Sequence, residues 1–308
     1  MKRNLISTIL LFLPIVAFPQ SNLFQKAIAV LEIISDNDSK NIDTNYIKEF
    51  PTKYSIKPIF ASQGFSTSFL SGSIRDIPLK YKANTMLSTG VGVTYRNLQL
   101  KLLANIPGTQ KDELKYGSTK YYDLSLYFRP RKYTLQFFYK NYKGFYINSL
   151  PNGTIIDKNE IHEFENSLKF TSYGLKAYYV FSNNKFSKYL FEKQSEKQLK
   201  SAGSLFIGCD AHFMSLENDS NIISFKAKND FSKINEINKI EQYSLDILGG
   251  YAYNFIINKR FYFSPMIMLG SGYQKMSFGS GIFQKENSIN AMMEINSSVG
   301  YNGDNFFM

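Results

Sequence analysis

The chain has 308 residues, a formal charge of +11, one cysteine, two histidines and no tryptophan. The single Cys209 excludes an internal disulfide, and no Cys/His grouping has metal-ligand spacing, so redox, zinc and cofactor-binding readings fall away. Aromatics make up 16% of the chain while mean hydropathy is only −0.25, a mixture that suits a sheet with one lipid-facing side better than a soluble core.

The elements begin with Met1-Lys2-Arg3-Asn4, an apolar run from Leu5 to Phe18, and then Pro19-Gln20-Ser21. That charged, apolar, polar order predicts a secretory signal peptide over 1–20. Its apolar run is shorter than the roughly 20 residues a spanning helix needs. No later run is long enough either, so a mature chain resident in a membrane has to be a closed sheet. Export also separates the chain from nucleic acid, and its lysines are scattered along loops and strands, so no nucleic-acid partner is expected. Residues 21–50 are expected to form a periplasmic N-terminal segment, helical in part.

From Tyr54 onward the dominant period is two residues, which puts alternate side chains on opposite faces of a strand. Tyr122, Leu124, Leu126 and Phe128 oppose Asp123, Ser125 and Arg129. Tyr133, Leu135, Phe137 and Tyr139 oppose Lys132, Thr134, Gln136 and Lys140, with Pro130 and Arg131 as a tight hairpin between the two runs. The same split recurs at Leu98–Ala104, Tyr173–Phe181, Leu205–Phe213, Leu245–Ile257, Phe261–Leu269 and Met293–Tyr301. Long connections fall near 64–85, 107–118, 142–169, 216–242 and 276–288, and tight ones near Asn97, Pro130, Asn258-Lys259 and Asn302-Gly303. Such parity is that of an all-β, antiparallel, up-and-down transmembrane β-barrel with long loops outside and short turns in the periplasm. It requires 183–200 to be one periplasmic link and not a crossing strand, although Phe186–Phe191 could make a short strand. The count is ten full strands plus the start of an eleventh at Phe306-Phe307. Because single-chain bacterial barrels have even strand numbers, the barrel over 51–308 is expected to lack a final hairpin and to be twelve-stranded when complete. Ten strands with a short tail is the alternative.

Five stretches carry a family resemblance: Asp43-Thr44-Asn45-Tyr46-Ile47; Tyr142-Lys143-Gly144-Phe145-Tyr146; Tyr179-Val180-Phe181-Ser182-Asn183 with Lys185-Phe186-Ser187; Gln198 to Gly208; and Gly300-Tyr301-Asn302-Gly303. The chain resembles a family of uncharacterised outer-membrane β-barrels, a domain of unknown function common in Bacteroidota. The resemblance implies fold and an outer-membrane location in a Gram-negative bacterium, with membrane lipid and the outer-membrane assembly machinery as partners. It implies no activity and no site.

Chemistry is sparse. His162 lies in a polar loop beside Glu160, Glu163 and Glu165 and is expected to be solvated. His212 shares a strand face with Asp210 and Ser204, an arrangement that could orient a general base. In a lumen it serves more simply as part of a polar network, so no catalytic residue is assigned. Alternation puts Arg96, Lys101, Asp123, Arg129, Lys132, Lys140, Lys176, Asp210, His212, Asp246 and Glu294 on the lumen side. Twelve strands lie between filled barrels and open channels. A structural barrel or a narrow passive pore is therefore expected, and the excess of base gives the pore a weak anion preference. A surface-binding barrel acting through its long loops is the alternative, and a lipid-acting outer-membrane enzyme is third.

Overall fold

The computed structural model describes residues 42–50, 54–69, 78–85, 87–106, 108–151, 156, 160–192, 196–231, 236–279 and 284–301. The expected signal peptide, most of the N-terminal segment and the start of an eleventh strand lie outside these residues. The described strands are, in chain order, β1 (Ile47–Glu49), β2 (Tyr54–Ser62), β3 (Ser66–Phe69), β4 (Leu79–Lys82), β5 (Leu87–Tyr95), β6 (Leu98–Asn105), β7 (Lys120–Phe128), β8 (Tyr133–Ser149), β9 (Phe164–Val180), β10 (Glu196–Gln198), β11 (Ala202–Glu217), β12 (Lys239–Ile257), β13 (Phe261–Gly279) and β14 (Gln284–Tyr301). Two one-turn helices, α1 (Glu113–Tyr116) and α2 (Tyr189–Glu192), sit in connections.

Ten strands form one antiparallel meander in the order β14-β13-β12-β11-β9-β8-β7-β6-β5-β2. They are the ten full strands expected from alternation. The hairpin of β3 and β4 joins the same sheet through β8, so these two are not an extra pair of crossing strands. β1 and β10 make a separate two-stranded sheet. No pairing joins β14 to β2 among the described residues, so the meander has two free edges.

The meander is curled. The ammonium of Lys176 on β9 lies 3.4 Å from Glu294 on β14, four strands along the path, and Phe65, just past β2, stacks on Phe170 of β9 at 4.0 Å between centroids. Such contacts need one face to be concave, and that face is the polar one. Ser125, Thr134, Asp210, Asp246, Asn254 and Ser264 on it are buried, whereas Leu205, Ile247, Ile267, Leu269 and Ile295 on the convex face are exposed. Burial is thus inverted relative to a water-soluble sheet.

A narrow interior cannot hold a large side chain at every position. In one register row across β9, β11, β12, β13 and β14, Tyr178, Gly208, Leu248, Gly270 and Met292 alternate large and small. A Cβ on Gly270 would meet the Ile247 carbonyl of the adjacent strand at 2.3 Å, and one on Gly208 would meet the Tyr178 ring at 2.4 Å, so the small residues make room beside their large cross-strand neighbours.

Several strands run farther than alternation predicts. β8 continues to Ser149 and β9 begins at Phe164, which shortens the expected 142–169 loop, and β13 and β14 leave only 280–283 between them. Beyond the apolar stretch the alternation continues with its faces exchanged: the row Tyr142, Phe170, Leu216 and Ile240 packs inward, and the next row, Lys143, Lys169, Glu217 and Lys239, faces outward. Gly144, at φ 91° and beside a register shift in β8, bends that extension over Ser118 and Thr119. Among the described residues of 183–200 there is no crossing strand. Its short strand is β10, not Phe186–Phe191, and β10 holds β1 of the N-terminal segment.

Candidate functional site

Three layers of side chains fill the concave side. At the short-turn end the link over 181–201 folds inward. Phe186 packs with Val180, Phe206, Leu248, Ala252 and Met268. Gln198 ties three elements together: its Oε1 accepts from Ser187 N at 2.8 Å and from Asn254 Nδ2 at 3.0 Å, and its Nε2 donates to the carbonyls of Lys185, Lys200 and Tyr46. Arg131, buried in the β7–β8 turn, pairs with the buried Glu196 and donates to the Asn183 carbonyl at 2.6 Å. Lys188 is anchored on the Tyr133 carbonyl and on Thr134 Oγ1, and Tyr189 donates to the Arg129 carbonyl at 2.8 Å.

The middle layer is polar. Lys176 and Asp210 are cross-strand partners 3.3 Å apart, and Asp210 stands opposite Asp246 in the next ladder. His212 Nδ1 lies 3.5 Å from Asp210 and 3.8 Å from Asp246. Glu294 accepts from Tyr178 Oη at 2.9 Å and from Lys176 at 3.4 Å. Nearer the other edge, Asp123 accepts from Ser125 and Tyr121 and stands opposite Lys140, with Lys101 within its field. Arg129 lies over the Tyr127 ring at 3.6 Å and bonds Gln99. A cavity of about 360 Å³ opens beside Lys57, Gly92, Gln99 and Lys101, next to the free edge of β2.

Nine of the eleven residues assigned to the lumen side therefore share the concave face. The other two sit in turns. Arg96 occupies the two-residue β5–β6 turn at φ 49°, and Lys132 is exposed in the β7–β8 turn. Alternation carried one step past a strand end assigns a face that a turn residue does not have. Without those two, the nine comprise four bases, four acids and His212, and Lys57 adds one more base. Arg131 and Glu196 were not legible as a pair, because nothing in sequence brings residues 65 apart together.

Ser204 does not approach His212. It accepts from Ser182 N at 2.9 Å near the short-turn end, eight residues down the same strand and so about 26 Å away at about 3.3 Å per residue.

At the long-loop end the loop after β11 crosses onto β4. Ile222, Ile223, Ala227 and Phe231 pack with Leu79, Tyr81, Ile147 and Leu168, and Tyr81 donates to the Ile222 carbonyl at 2.6 Å. Burial is the first cause holding the Tyr81 hydroxyl and the Glu165 carboxyl above their usual ranges. His162, expected in solvent, is buried here: its ring stacks on Tyr116 at 4.7 Å and its Nδ1 lies 2.8 Å from the Ile147 carbonyl. Three loop side chains, Leu114, Ile161 and Phe225, remain in the open. Among the described residues no group of three or more His, Cys, Asp or Glu is arranged to hold a metal ion.

No curated protein and no solved structure matches the chain. A family model does match, over residues 41–308, and so spans the meander and both caps. The chain belongs to the family described as Domain of unknown function (DUF4421).

Proposed function

We propose that the chain is a transmembrane β-barrel of a Gram-negative outer membrane whose lumen is filled, giving it a structural or surface-presenting role in place of an open pore. The observation that carries this is the inverted burial: an exposed aliphatic convex face over a buried polar concave one. In water a continuous apolar surface of that extent is unfavourable, whereas lipid requires it.

Two rows of aromatics border the apolar face. Tyr139, Tyr173, Phe213 and Tyr243 stand in one register row across β8, β9, β11 and β12, toward the long loops. Tyr133 with Tyr179, Phe255 with Phe263, and Phe261 with Tyr301 pair across neighbouring strands toward the short turns. On β13 the step from Phe263 to Tyr273 spans about 33 Å of strand at about 3.3 Å per residue. Tilted by about 40°, that gives an apolar band about 25 Å tall, the height expected of outer-membrane barrels. An open edge in lipid leaves backbone groups unpaired, so the edges of β2 and β14 must be joined in the membrane.

Filling distinguishes a plug from a pore. The inward link, the ionic middle layer and the long-loop cap lie one above another, and near-balance of charge in the middle layer removes most of the reason for an anion preference. Binding through the loops is the second reading, favoured by Leu114, Ile161 and Phe225, which stand in solvent on an otherwise packed cap. The test is planar-bilayer recording of the folded protein under a salt gradient. A filled barrel gives no steady conductance steps, and reproducible steps whose reversal potential reports anion preference would replace it with the narrow pore.

A further inference from the structure

The two ends of the meander carry opposite charge. At the short-turn end Lys132, Lys185, Lys200, Lys259 and Arg260 are exposed, and Glu49 is the one exposed acid among the described residues. At the long-loop end the seven exposed acids Asp112, Glu113, Glu160, Asp219, Asp230, Glu236 and Glu286 outnumber the four exposed bases Lys111, Lys120, Lys143 and Lys226 among the described residues.

The basic residues are also placed at one level. Lys132 immediately precedes Tyr133, and Lys259-Arg260 immediately precedes Phe261, so each base adjoins an exposed aromatic of the lower row. Lys185 and Lys200 flank the Tyr46 ring at 5.2 and 5.4 Å, holding two more cations on the same end. Aromatics settle at the headgroup level of a bilayer, and long basic side chains beside them reach the phosphates.

We infer that this rim of Lys132, Lys185, Lys200, Lys259 and Arg260 is a docking surface for the phosphate headgroups of anionic phospholipid in the leaflet on the short-turn side. The inference rests on the membrane reading above. Each base near an anionic surface strengthens association about fivefold, and the effect is screened beyond a Debye length, so the rim gathers anionic lipid in a salt-dependent way.

The experiment reconstitutes the folded chain in mixed phosphatidylcholine and phosphatidylglycerol vesicles with either lipid brominated, and reads quenching of the protein's tyrosine fluorescence. Brominated phosphatidylglycerol should quench several-fold more than its mole fraction accounts for, less so at high salt. In the combined variant Lys132→Gln, Lys185→Gln, Lys259→Gln and Arg260→Gln this excess should vanish, while Lys111→Gln, Lys120→Gln and Lys226→Gln together should keep it. No excess in the wild type, or equal loss in the long-loop variant, overturns the inference alone. Competition by inorganic phosphate beyond that of chloride at equal ionic strength would make the rim a free-anion site and overturn it too. A wild type with no boiling-sensitive folded form in any vesicle would overturn the membrane reading itself.

Discussion

Leu269→Arg should destabilise the folded protein in vesicles by about 2–4 kcal/mol, the depth-dependent cost of a guanidinium near a bilayer midplane. Leu269 is 59% exposed on the convex face and lies between Phe263 and Tyr273 on β13. A side chain that open in a water-soluble protein could become arginine with a change within about 0.5 kcal/mol. The two environments therefore predict effects that differ several-fold at one position. Denaturant titration of wild type and variant in the same vesicles decides it, and a change below about 0.5 kcal/mol would mean that water, not lipid, faces Leu269.

The second large effect is at the short-turn cap. Arg131 and Glu196 are each 3% exposed at their side chains, so Arg131→Ala leaves a carboxylate in the interior with its main partner gone. Breaking a buried pair on one side costs about 3–5 kcal/mol, whereas replacing both partners by apolar groups of similar size is often near neutral. Arg131→Ala should therefore lower stability by that amount and release the link over 181–201 to proteolysis. Arg131→Met combined with Glu196→Leu should restore most of both. Equal losses in the single and double variants would show that the pair does not hold the link.

Much of the meander was legible because its two faces differ in kind, apolar on the convex side and polar on the concave side. Tyr122-Asp123-Leu124-Ser125 alternates without interruption, and a period of two has one structural meaning. What lies outside the apolar band was less legible. Lys143, Lys169, Glu217 and Lys239 form an outward polar row next to the inward apolar row Tyr142, Phe170, Leu216 and Ile240, so in the extensions of β8, β9, β11 and β12 the pattern reverses phase and a reading that follows one apolar outer face stops short of them. The caps were hidden for a different reason. The bonds of Gln198 to Tyr46 and Asn254, or of Tyr81 to Ile222, join residues far apart in the chain, and local pattern holds no record of them. His162 misled through its neighbours: Glu160 and Glu163 look solvated, but the imidazole turns inward between Tyr116 and Tyr146. Strand parity puts Lys176, Asp210, His212, Asp246 and Glu294 on one face, and in the structure their side chains lie close together there, whereas Arg96 and Lys132 lie in turns, where the strands have already ended.

The most direct measurement is the electrophoretic mobility of the chain folded in detergent, run unheated and boiled, with far-ultraviolet circular dichroism on the same sample. A membrane barrel keeps its ladder in detergent without heat, so the unheated sample should migrate apart from the boiled one and give a strand-dominated spectrum. A single mobility for the unheated and boiled samples would contradict a membrane barrel.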